Sequence, residues 1–174
     1  MTAKTREISA EQAHEILKIY GELRSVVVKD DFTLKGSDKG IFFGNVIFAG
    51  NLHIGTNHAA EQFPKRVGFS KCTVKGHVHV ISSTFEDGLA MDELNIQQEL
   101  LITNSNIWIF FSLTDSELQD RIVFDQSFFK EINFSRTIIG GPIIFTNVGY
   151  DRIDCPKALW PQLHATLAHR VTLV

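Results

Sequence analysis

The sequence predicts an all-β fold: a single-stranded parallel β-helix of about 22 residues per coil, with a capping helix at each end. Three observations carry this. Apolar residues recur at a step of 22 through VHVISSTF, LLITNSNI and IVFDQSFF (78–85, 100–107, 122–129). Half of that step works as well, because LAMDELNI and FSLTDSEL (89–96, 111–118) interleave with them. Both ends of the chain carry helical rather than alternating apolar spacing.

Within each eleven-residue unit, large apolar groups stand at positions 1, 3 and 8, and a small residue usually stands at 6. Val78, Leu100 and Ile122 share position 1; Val80, Ile102 and Phe124 share position 3; Phe85, Ile107 and Phe129 share position 8. Ser83, Ser105, Ser116 and Ser127 stand at position 6, and Cys72 takes the same place in VGFSKCTV (67–74). The pattern runs on through INFSRTII and IIFTNVGY (132–139, 143–150). Positions 1 and 3 share one side of a short strand, since side chains alternate with period 2, and positions 6 and 8 share the inner side of a second. The polar pairs between them, such as Asp92-Glu93, Thr103-Asn104 and Thr114-Asp115, mark a corner. One unit cannot bury its apolar side alone, so the units must stack, about 4.8 Å apart. The usual hand of parallel connections makes the expected coil right-handed.

The chain reads as a single domain, 1–174, with a β-helix over 26–153. In its first third, Val26, Val28, Phe32 and Leu34 recur at Val46, Phe48, Leu52 and Ile54, a shorter step of 20. NHAAEQFPKR (57–66) breaks the register and reads as an inserted loop. Residues 8–24 read as an N-terminal capping helix. Ser9 and Gln12 form a capping box, and Ala13, Ile16, Leu17, Tyr20 and Leu23 form an apolar stripe. Residues 156–170 read as a C-terminal helix, with Pro156 early and Leu159, Leu163 and Leu167 four apart.

Composition narrows the function. Net charge is −3 and basic residues are scattered, which points away from nucleic acid. No apolar run reaches membrane-spanning length, and the first residues lack the apolar core of a signal peptide. Two cysteines without CxxC spacing suit free thiols in a cytoplasmic protein. Fourteen Phe against two Tyr and two Trp favour a stacked interior, since Phe has no polar tip.

The Ser-x-large pairs Ser83-Thr-Phe85, Ser105-Asn-Ile107, Ser116-Glu-Leu118 and Ser127-Phe-Phe129 resemble the signature of pentapeptide-repeat proteins over roughly 67–150. That resemblance implies a repeat solenoid whose coil is four-sided and steps by 20, against 22 here. Some members imitate DNA with acidic surfaces, which a net charge of −3 does not suggest. The longer coil is similar to the β-helices of polysaccharide-acting enzymes, which implies a carbohydrate ligand instead.

Chemistry-bearing residues are few. His77 and His79 place two imidazoles on one outward strand side; with a third ligand, for which His53 is the candidate, they could hold zinc or copper. Surface histidine is the simpler reading, so no metal or other cofactor is expected. Asp92, Glu93 and Asp115 gather at one corner and could flank a glycosidic bond; a solvated corner is the simpler reading. No Gly-x-Ser-x-Gly elbow is present, and Gly140-Gly141-Pro142 lacks the Lys-Ser/Thr of a phosphate loop. The inward serines argue against a nucleophile. The surface is more informative. Leu101, Val123 and Ile144 form an apolar outward row continuing from His79, for which the C-terminal helix or a second subunit is the expected cover. Trp108, Phe110 and Phe128, with Lys130, form an outward aromatic patch, for which cover by the loop 57–66 or the C-terminal helix is the simpler reading and a protein or carbohydrate contact the alternative. The expectation is a non-enzymatic solenoid that binds a protein partner or itself through these residues. A carbohydrate-binding or carbohydrate-cleaving protein is the alternative.

Overall fold

A computed structural model describes residues 5–166. All pairing between strands is parallel, and each strand lies beside its counterpart one coil away. A coil has four sides. Face 1 carries Val26–Val28, Ile47–Phe48, Thr73–Val74, Asn95–Ile96, Glu117–Leu118 and Ile138–Ile139, with Arg6–Ile8 on its outer edge. Face 2 runs from Phe32–Leu34 through Leu52–Ile54, Val78–Ile81, Leu100–Thr103, Ile122–Asp125 and Ile143–Thr146 to Leu163–Thr166. Face 3 holds Glu61–Phe63, Ser83–Phe85 and Asn106–Ile107, and face 4 holds Glu22–Arg24, Ile41–Gly44, Val67–Ser70, Leu89–Asp92 and Phe111–Thr114. Phe128–Asn133 turns the corner unbroken, pairing with Asn106–Ile107 and then with Phe111–Ser112, and so joins faces 3 and 4 into one sheet.

The register is the one the repeat implies. Val78 lies beside Leu100 and Leu100 beside Ile122, while Phe85, Ile107 and Phe129 form one fully buried column. Each such side chain contributes roughly 1.5–3 kcal/mol. The phenylalanines gather in this interior: Phe43 stacks on Phe69 at 4.5 Å and Phe63 on Phe85 at 4.8 Å between ring centroids. Early coils step by 20, as Phe32 beside Leu52 shows, and the next steps by 26, from Leu52 to Val78. The four extra residues sit between Leu52–Ile54 and Glu61–Phe63. The expected loop 57–66 is therefore only partly a loop, since Glu61–Phe63 is a strand and Phe63 belongs to the column of Phe85. Its lone large apolar side chain falls in register once the insertion is confined to the preceding corner.

Every sharp corner is built the same way. The residue before each position 6 has a left-handed backbone: Ser25, Asn45, Lys71, Ser82, Glu93, Asn104, Asp115, Gln126, Arg136 and Asn147 lie at φ between 47° and 57°. Such a φ disfavours most side chains and is best tolerated by polar ones, which explains the polar corners of the repeat. The small residue that follows turns inward. The Oγ atoms of Ser83, Ser105, Ser116 and Ser127 each donate to the carbonyl two residues earlier at 2.7–2.9 Å. The Oγ of Ser105 also accepts from the Ser83 N–H at 3.2 Å, and that of Ser127 from the Ser105 N–H at 3.1 Å. The inward serines thus satisfy backbone that the corner would otherwise leave unpaired.

The ends differ from expectation. The N-terminal helix is Ala10–Tyr20, shorter than 8–24, and it is flanked by strands Arg6–Ile8 and Glu22–Arg24. Its capping box is present, with Gln12 N–H donating to Ser9 Oγ and Ser9 N–H to Gln12 Oε1. Gly21 at φ 71° stops it, placing Leu23 in a strand, while Tyr20 points to solvent. Ala13 and Leu17 are buried over the first coil, and His14 stacks on Phe32 at 4.5 Å, so the helix covers that open end. At the other end, the α-helix expected over 156–170 is instead a 3-10 turn, Lys157–Gln162, followed by the strand Leu163–Thr166 on Ile143–Thr146. Pro161 removes a helical donor, and the open edge of Ile143–Thr146 offers the chain a ladder. Residues 167–170 of that expectation lie outside the described residues. No helix among the described residues is long and apolar enough to cross a membrane.

Candidate functional site

The outer side of face 2 carries two different surfaces on one backbone. Thr33, His53, His79, Leu101, Val123 and Ile144 stand one above another in register. Leu101, Val123 and Ile144 are half-buried, each flanked by its neighbours in the row. The described C-terminal residues do not fold across this row. They extend the face in register instead, so the helix expected as its cover does not form among the described residues.

Toward the N-terminus the same face is histidine-rich. His79 lies beside His53, with ring centroids 5.4 Å apart and nearly perpendicular, and His77 stacks on His79 at 5.0 Å. The register that aligns Val78 with Leu100 sets Glu99 beside His77 and Arg121 beside Glu99. Arg121 Nε and Nη2 both bind Glu99 Oε2, at 2.9 and 2.8 Å, while Glu99 Oε1 lies 3.5 Å from His79 Nε2. That separation is at the long limit of a hydrogen bond, and His79 Nε2 is a buried atom with no closer partner. Burial first, and then His77 and His53, push the His79 pKa down against the opposing pull of Glu99, while Arg121, and after it His79, hold the Glu99 carboxyl below the usual carboxylate range. His77, His79 and His53 stand out in the sequence, and Glu99 does not. The signal was in the repeat itself, since Glu99 stands 22 residues after His77.

The aromatic residues fall on a different side. Phe128 is on face 3, and Trp108 follows face 3 at the next corner. Trp108 is 49% exposed and packs on Phe128 at 5.4 Å between centroids, with Lys130 exposed nearby. Phe110, expected outward, is half-buried: its ring lies over Gly88, where a Cβ would collide with it, and the Arg66 guanidinium stands 4.8 Å from its centroid. The missing side chain of Gly88, which also holds a left-handed backbone at φ 92°, is what lets the ring approach. Part of the segment 57–66 therefore covers Phe110, and Ile109 takes the exposed place beside Trp108. The proposed interaction residues are thus divided between two adjacent faces.

At the acidic corner each carboxylate has partners. Asp92 Oδ1 accepts from Ser112 and Thr114 hydroxyls at 3.1 and 2.7 Å, Glu93 lies 3.9 Å from Lys71, and Asp115 is gripped by Arg136 through both oxygens. Arg136 also holds the Asp115 pKa down. Lys71, Glu93, Asp115 and Arg136 follow one another along an open groove of about 520 Å³, a charge ladder that largely neutralises itself. Both cysteines are buried free thiols whose pKa burial raises, Cys155 to about 11.

No family model, curated protein or solved structure matches the chain. The likeness to pentapeptide-repeat proteins rests on the serine signature alone.

Proposed function

We propose that the chain is a non-enzymatic β-solenoid scaffold that pairs with a second copy of itself through face 2. The observation that carries this reading is the row Leu101, Val123 and Ile144, half-buried among its own neighbours and crossed by none of the described C-terminal residues. Three aliphatic side chains at sheet spacing on a flat, rigid face offer a surface that another such row matches coil for coil. The groups that would suggest catalysis, at the acidic corner, are each occupied by a neighbour. The Trp108–Phe128 pair on the adjacent face supports a protein partner there, and carbohydrate stacking is the second reading of that pair. Kinship with pentapeptide-repeat scaffolds and a cytoplasmic setting, which two buried free thiols suit, belong to the same reading.

Size-exclusion with light scattering tests it. Wild type should run as a dimer at micromolar concentration and Val123→Asp as a monomer with unchanged circular dichroism. A wild-type monomer at every concentration would remove the self-pairing. In that case an oligosaccharide array, with Trp108→Ala as control, tests the carbohydrate reading.

A further inference from the structure

We infer that His77, His79 and Glu99 form a binding site for one divalent transition-metal ion of the zinc type. One ligand atom from each residue falls within 4.8 Å of the others. Tetrahedral zinc, with bonds of roughly 2.0–2.2 Å, needs ligand atoms about 3.4 Å apart. The 3.5 Å between Glu99 Oε1 and His79 Nε2 already matches that edge. His77, whose ring stacks on that of His79, reaches the third corner by turning out of the stack.

The surroundings hold the groups in place for this. His79 stands within the strand Val78–Ile81, and the His77 N–H donates to Asn51 Oδ1 at 3.1 Å. The Val78 N–H donates to the Glu99 carbonyl at 3.0 Å, which ties the two coils together at the site. Arg121 occupies Glu99 Oε2 and leaves Oε1 for the histidines, the kind of outer contact that orients a ligating carboxylate. A buried nitrogen without a partner, as at His79 Nε2, is costly unless something binds it. A cation between it and Glu99 Oε1 removes that cost. Two imidazoles and one carboxylate are the donor set of three-ligand zinc sites that keep a fourth position open. A single carboxylate offers too few oxygens for magnesium or calcium. His53, with its ring centroid 5.4 Å from that of His79, stands outside this set.

Equilibrium dialysis of the full chain, purified without a histidine tag, against zinc chloride and separately magnesium chloride tests the site, with bound metal read by elemental analysis. Wild type should bind one zinc and no magnesium. His79→Gln and Glu99→Gln should each weaken zinc binding by more than about tenfold, the lower bound set by what even indirect partners cost. His58→Gln, on the exposed insertion, should leave it unchanged. Melting curves without metal confirm that each variant is folded. No zinc bound by wild type, or zinc bound equally by His79→Gln and Glu99→Gln, overturns the inference.

Discussion

Along face 2, His53 and His79 give way to Leu101, Val123 and Ile144 within one unbroken row. Directly behind that row little changes: Leu52, Val78, Leu100, Ile122 and Ile143 are all buried, and all are aliphatic. The two halves differ far more in what water or a ligand meets than in what the core meets, where the one change is from Ile54, Val80 and Ile102 to Phe124 and Phe145. The coil is thus specified by its inner columns and its corners, while the outer positions are left free to carry function.

The strongest way to break this contrast is from inside. Val123 and Phe124 are neighbours pointing to opposite sides of one strand. The Phe124 ring is fully buried and meets Phe129 and Phe145 at 5.0 Å, Phe111 at 5.8 Å and Phe134 at 6.2 Å between centroids. Phe124→Ala should therefore cost about 3–5 kcal/mol in chemical denaturation. Val123→Thr, one residue away on the outside, should cost under about 1 kcal/mol. Comparable losses for the two would mean that the outer row is as structural as the inner one.

A smaller effect is expected at the corners, which both halves share. Ser105→Ala removes a buried hydroxyl that donates to the Thr103 carbonyl and accepts the Ser83 N–H. The orphaned N–H should cost about 1–3 kcal/mol by the same measurement. A neutral result would make the serines mere space-fillers and leave the left-handed residues to define the corner alone.

The inner columns were legible in the sequence because stacking forces like above like, so Phe85, Ile107 and Phe129 announce themselves at a fixed step. The same step applies to outward residues, and it would have given Glu99 as the partner of His77. The column of His77 shows no recurrence of type, however, since Asn51, His77, Glu99 and Arg121 follow one another in it, and so it draws no notice. The insertion hid the alignment of His53 with His79, which needs a step of 26. The C-terminal strand was missed because leucines four apart satisfy a helix, while the free edge of Ile143–Thr146 is visible only once the coils are stacked. Covering of Phe110 depended on Arg66, two coils away, and on the missing side chain of Gly88. Neither leaves a pattern within its own strand.

The smallest expected effect concerns the histidine end alone. His14 of the capping helix is stacked on Phe32, and burial followed by Lys35 lowers its pKa, with Glu15 opposing. The unfolded chain therefore takes up this proton more readily than the folded one. Neutral His14 contributes fully above the unfolded value of about 6.5, and its contribution is lost as pH falls from there through the lower folded value. Acid should thus loosen the cap over the first coil. Wild type should lose more melting temperature than His14→Gln between pH of about 7.5 and about 5.5, by on the order of a degree or two. The apolar half of the face contributes nothing to this difference, because Leu101, Val123 and Ile144 have no proton to gain. Equal losses in the two proteins would show that His14 is as easily protonated in the cap as in the open chain, and that the helix seals the first coil by apolar contact alone.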